Sequence, residues 1–178
     1  FQDGEDLNIA TLLLIIFGIF YFYADNSFIQ KKSKKILLFL ISFSFFNRKK
    51  NLLYFGDSGC YFLSIIIFLF VYNEIQNLIL IKLLISVILF PIIDVVYVIL
   101  YRILNKQNLL SRNYLHIYQI LAKKSILKFY LLPNILFSIL NIFISLYFNL
   151  ELSFLVCLIF LNIFLLFVIR FAIQKLIN

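Results

Sequence analysis

The chain has 178 residues, of which 64% are hydrophobic, 19% aromatic and only 13% charged, with a formal net charge of +8. A soluble domain of this length has no interior large enough to hide so much apolar surface, so composition excludes an ordinary soluble enzyme and indicates an all-α, polytopic transmembrane helix bundle in a single integral membrane domain. The positive charge does not indicate a nucleic-acid partner, because Lys and Arg fall in short stretches between apolar runs, where membrane topology puts them.

Six apolar runs follow in order, at about residues 7–24, 36–46, 58–72, 77–104, 129–148 and 154–170. Hydrocarbon is ~30 Å thick and a helix rises ~1.5 Å per residue, so about 20 residues are needed to cross; the second run is short and must borrow flanking residues whose lysines snorkel. The runs are apolar on all sides and do not alternate, which favours helices over a barrel. The longest basic loop, 102–128, contains Lys106, Arg112, Lys123 and Lys124 and is expected in the cytoplasm, with the tight turns at Glu74 and Glu151 outside. Arg48, Lys49 and Lys50 then also fall inside, whereas strict alternation puts Lys31, Lys32, Lys34 and Lys35 outside, against the positive-inside rule. Cys60 and Cys157 have no second sulfur or imidazole at ligand spacing and read as small core residues. The chain begins at Phe1 and contains no methionine, so it reads as a fragment whose N-terminal part lies upstream.

The chemistry-bearing residues stand at the ends of these runs. Asp3-Gly4-Glu5-Asp6 precedes the first and Gly56-Asp57-Ser58-Gly59 opens the third, where a carboxylate at the membrane-water boundary can hold a metal while facing water. Asp3 and Asp6 are spaced to share a helix face, and the glycines around Asp57 let a ligand or backbone approach closely. Asp94 lies inside the fourth run, three residues after Pro91, with Arg102 about two turns further on roughly the same face; His116, the single histidine, follows in the basic loop. Hard oxygen ligands without a soft partner suit Mg²⁺, which binds through carboxylates and substrate phosphates. Each residue also has a plainer reading: a solvated helix start for Asp3 and Asp6, a turn for Asp57, an ion pair with a basic neighbour for Asp94, and no role for an isolated histidine.

Leu53-Tyr54-Phe55-Gly56-Asp57-Ser58-Gly59 with Phe62-Leu63, then Pro91-Ile92-Ile93-Asp94 with Arg102, then His116-Ile117-Tyr118-Gln119 follow one another in order, and Phe1-Gln2-Asp3-Gly4-Glu5-Asp6 precedes them. Together these motifs resemble the polyprenyl-phosphate N-acetylhexosamine-1-phosphate transferases, the superfamily that includes phospho-N-acetylmuramoyl-pentapeptide transferase. The resemblance implies a membrane enzyme in which polyprenyl (undecaprenyl) phosphate attacks the β-phosphate of a UDP-N-acetylhexosamine-type sugar nucleotide. UMP leaves, the sugar remains on a lipid diphosphate, and cell-surface glycan synthesis such as that of O-antigen begins. By the same resemblance Asp57 holds Mg²⁺ (or Mn²⁺), Asp3 and Asp6 line the catalytic pocket, and His116 meets the diphosphate, with Asp94, Arg102 and Gln119 in supporting places. The location implied is the bacterial cytoplasmic membrane, with the active site on its cytoplasmic face. Leu7 stands where the family has a second glycine, and His116-Ile117-Tyr118-Gln119 replaces the commoner His-x-His-His, a variant similar to the branch handling N-acetylated 6-deoxy sugars. The family's upstream Asp-Asp motif and several earlier helices are not among these residues, so the isolated fragment is expected to be inactive. Two other classes compete: a catalytically inactive homologue acting as a membrane-embedded partner, and a channel or transporter subunit, whose acidic residues would line a path across the bilayer.

Overall fold

The computed structural model describes residues 8–47, 55–108, 115–123, 132–147 and 152–175, and these are helical: seven helices, with no strand among the described residues. They are α1 (Asn8–Tyr23), α2 (Ser27–Asn47), α3 (Gly56–Asn73), α4 (Leu78–Leu104), α5 (Ile117–Lys123), α6 (Leu132–Tyr147) and α7 (Leu152–Lys175). The chain divides into two compact units, Phe1–Val87 and Ile88–Asn178, with the division inside α4, one turn before Pro91. Pro91 has no amide hydrogen and so leaves the Val87 carbonyl without its helical donor.

In the first unit α1 and α2 form a helical hairpin around Ala24, Asp25 and Asn26, and they pack directly on each other. The polar residues of the two turns decide where helices start. Asn26 Oδ1 accepts from the Phe28 amide at 2.9 Å and caps α2, and Asn77 Oδ1 accepts from the Leu80 amide at 3.0 Å and caps α4. The apolar interior is largely aromatic: Phe17 and Phe20 of α1 meet Phe70 of α3 edge to face, at 6.3 and 5.3 Å between ring centroids.

Glu74 joins the two turns. It is buried between α3 and α4, and its carboxylate accepts the Asp25 amide at 3.0 Å and the Asn26 amide at 2.8 Å. Asn77 Nδ2 adds a bond to the Tyr23 carbonyl at 2.8 Å, and Gln30 Nε2 donates to the Ala24 carbonyl at 2.7 Å. The end of α1, the start of α2, the end of α3 and the start of α4 therefore meet at one end of this unit.

The second unit is built around Phe90 of α4, Ile117 of α5 and Leu166 of α7, with Phe137 of α6 stacked on Phe90 at 4.4 Å. Along α7 the buried residues Leu158, Asn162 and Leu166 recur every fourth position, a stripe along one helix face. Asn162 exchanges reciprocal amide bonds of 3.0 and 3.1 Å with Asn141 of α6, which pins the axial register of two otherwise greasy helices.

Two elements differ from the hydrophobic-run reading. The second run is the C-terminal part of a longer helix, because α2 begins at Ser27 behind its Asn26 cap and carries Lys31, Lys32, Lys34 and Lys35 on an exposed face without interruption. The short helix α5 has no counterpart among the expected runs, since seven residues cannot register as a span. α4 is the one described helix long and apolar enough to cross a membrane. Neither cysteine is in a disulfide, and with Cys60 half-buried and Cys157 exposed neither is the small core residue expected.

Replacing Glu74 by alanine leaves two turn amides without their acceptor, and charge-assisted hydrogen bonds of this kind contribute about 2 kcal/mol to stability. Glu74→Ala should lower the thermal midpoint of the purified protein measurably, with Glu74→Gln, which keeps one acceptor oxygen, falling between that variant and the wild type.

Candidate functional site

Three elements of the second unit carry the site. On α4, Phe90, Asp94 and Val98 fall every fourth residue on the buried face, so Asp94 lies one turn beyond the Phe90 core. On α7 the four-residue stripe continues past Leu166 to Arg170. Between them the chain re-enters at Leu115 and His116, immediately before α5. The cluster therefore caps the apolar core, and its members are 22 and 76 residues apart along the chain.

Asp94 is 4% exposed and His116 is 9% exposed, so the charge of Asp94 has to be answered within the protein. Asp94 Oδ1 accepts from Arg170 at 2.8 Å, and Oδ2 faces Nδ1 of His116 at 2.9 Å. The same Arg170 nitrogen donates to the Leu115 carbonyl at 3.1 Å, and its guanidinium lies 3.9 Å from the centre of the Tyr97 ring. Tyr118 stacks on the His116 imidazole at 5.8 Å with 18° between planes. A carboxylate can only accept, so Nδ1 carries the hydrogen in its bond to Asp94, and Nε2 is the ring atom a ligand would meet.

Asp94 and His116, expected in separate roles, are brought into direct contact. Arg102 is not the partner of Asp94; it is buried and its guanidinium donates to the Asn108 carbonyl, six residues on. Gln119 lies in the first turn of α5, half-buried, and its Oε1 is buried without a donor among the described residues. Asp57 stands in the first turn of α3, and its side chain lies outside the described residues, as do Asp3 and Asp6 altogether. The glycines beside Asp57 have local causes: Gly56 adopts φ +59°, a left-handed conformation natural to glycine, and a Cβ on Gly59 would sit 3.1 Å from the Phe55 ring.

Arg170 is the member of the cluster that the hydrophobic-run reading missed, having taken it only as the end of the last span. A signal was available in the spacing, since residues 158, 162, 166 and 170 form one stripe that ends on a cation.

The described residues do not make a metal site. Both Asp94 oxygens are engaged, a divalent cation there would meet the Arg170 charge, and among the described residues no three His, Cys, Asp or Glu side chains gather to hold an ion. Compared with protein-family models, curated proteins and solved structures, the chain matches none.

Removing one member of a buried ion pair is more damaging than removing both, because a charge is stranded. Arg170→Leu should cost about 3–5 kcal/mol in denaturant unfolding, and adding Asp94→Asn to it should restore a substantial part of that loss.

Proposed function

We propose that this protein is a membrane-embedded phosphoglycosyl transferase of the polyprenyl-phosphate N-acetylhexosamine-1-phosphate type. The observation that carries the reading is the 2.9 Å pair between Asp94 and His116, because it joins two of the separate stretches on which the family resemblance rests. A histidine whose Nδ1 is held by a buried carboxylate presents Nε2 in a fixed direction, which suits contact with a substrate diphosphate.

Membrane embedding is supported by α4 and by the outward faces of the other helices. Phe45, Phe62, Phe68, Phe143, Phe160 and Phe164 are all exposed, on a scale that water does not tolerate on a monomeric protein. The bundle is polytopic on this reading, lies in a bacterial cytoplasmic membrane and works on its cytoplasmic face.

In the reaction an oxygen of polyprenyl phosphate attacks the β-phosphorus of the UDP-sugar. The bond from that phosphorus to the oxygen of UMP breaks, and the sugar 1-phosphate passes to the lipid. Mg²⁺, with Mn²⁺ as a substitute, supplies charge neutralisation when bound, and Asp57 is the residue that would hold it. Arg170 and Asp94 keep His116 in place and Gln119 offers a second polar group one turn on; by the family resemblance alone, Asp3 and Asp6 would line the catalytic pocket. Arg102 serves the loop that follows α4.

The closed Asp94–Arg170 pair favours a second reading, an inactive homologue in which the cluster is a structural lock and the chain serves as a membrane-embedded partner. Asp57→Asn in the intact protein separates the two. It should preserve expression and thermal stability yet abolish Mg²⁺-dependent UMP release from the UDP-sugar in membranes; undiminished release removes Asp57 from the site. His116→Ala should lower turnover by about 10²–10³-fold, the scale on which one preorganised polar contact to a developing charge acts. Wild-type turnover in that variant, measured on protein with an unchanged thermal midpoint, would return His116 to a packing role.

A further inference from the structure

The outward face of α2 changes character once along its length. Ile29, Ser33, Leu40 and Phe43 are buried and fix the inward face. On the opposite side the early turns carry Lys31, Lys32, Lys34 and Lys35, all exposed, and the later turns carry Leu38, Phe39, Ile41, Phe45 and Phe46, also exposed. At ~1.5 Å of rise per residue the lysines span about 6 Å of helix, and the change from Lys35 to Leu38 takes about 5 Å. Phe39 meets the Phe55 ring edge to face at 6.4 Å yet stays exposed, and the other side chains of both bands are likewise left exposed by the packing of the unit.

The lysine end is also the end where the two turns meet through Glu74 and Asn77. Two further residues there belong to the same pattern: Tyr23 closes α1 and Tyr72 lies in the last turn of α3, both exposed. Tyrosines beside lysines, next to a bare band of Leu, Ile and Phe, form the sequence of surfaces found where headgroups give way to acyl chains. Glu74 is buried and engaged with the amides of Asp25 and Asn26, so it does not neutralise the lysines; Asp25 is the exposed acid nearby in the chain. The Lys32 ammonium nitrogen lies over the Phe28 ring, 5.2 Å from its centre, a cation held against an exposed aromatic.

We propose that the lysine face of α2 binds the headgroup phosphates of anionic phospholipids, with the Leu38 to Phe46 band against their acyl chains. A nucleic acid would satisfy the same charges but would leave the adjoining apolar band in water, so the arrangement selects lipid. This inference rests on the membrane-embedded part of the reading above and is independent of the transferase chemistry.

The test is native mass spectrometry of the purified chain in detergent, titrated with phosphatidylglycerol or with phosphatidylcholine of the same acyl chains. The wild type should retain phosphatidylglycerol preferentially. The fourfold variant K31Q/K32Q/K34Q/K35Q should lose that preference by roughly tenfold or more, the fourfold Lys→Arg variant should keep it, and K31Q/K34Q should fall between. Because the four side chains are exposed, circular dichroism should show the same helix content in every variant. Equal retention of the two lipids by the wild type, or an unchanged preference in the fourfold Gln variant, overturns the proposal. Tighter retention of a short RNA oligonucleotide than of phosphatidylglycerol overturns it as well. Recovery of the chain in the soluble fraction without detergent would remove the membrane reading and this inference together, whereas a membrane-embedded chain indifferent to lipid charge removes this inference alone.

Discussion

A buried carboxylate has to be answered at short range, and each unit of this protein is organised around one. Apolar packing among Leu, Ile and Phe is strong but almost non-directional, so it can hold helices together without deciding their axial register. Glu74 in the first unit and Asp94 in the second supply the missing direction. Glu74 takes two backbone amides of another turn, and Asp94 takes a guanidinium and an imidazole. Moving either acid by one helical turn would strand a charge, whereas moving a leucine by one turn would trade it for another apolar side chain. The amide pair of Asn141 and Asn162 does the same work with neutral groups.

The two acids are used differently. Among the described residues the Glu74 carboxylate meets backbone amides, so it constrains the path of the chain. Asp94 faces side chains that have chemistry of their own. Arg170 supplies a permanent charge, reaches the Leu115 carbonyl with the same nitrogen and rests against Tyr97, so α4, α7 and the segment entering α5 are joined at one guanidinium. His116 is thereby held by its Nδ1 side, and the geometry available to its other nitrogen is set by residues that need not touch a ligand themselves.

That arrangement changes the division of labour expected from the linear order of motifs. Asp94 and Arg102 look like natural partners on one helix, two turns apart, yet the cation that answers Asp94 comes from the last helix, and Arg102 closes the loop beyond α4. A carboxylate already engaged by a guanidinium is a poor metal ligand, and Asp94 is engaged in that way.

Much of the helical architecture was legible in the sequence because long apolar runs admit one backbone solution. The fourth run, 77–104, is α4 within a residue at its start, and the first, third, fifth and sixth runs differ from α1, α3, α6 and α7 by a few residues at their ends. The second run was truncated because hydropathy falls at the lysines, although lysine is a good helix former and a helix with one wet face continues through them. α5 was invisible because seven residues, about two turns of helix, are too few for a periodicity to detect. For the site, the sequence singled out Asp94 and His116 by rarity, as an acid inside an apolar run and the single histidine, and by the family-like motifs in which they stand. Their contact, and the identity of the cation between α4 and α7, were decided only by tertiary structure, since local spacing gives the helix face on which Arg170 lies but a pairing across 76 residues is set by which faces pack together.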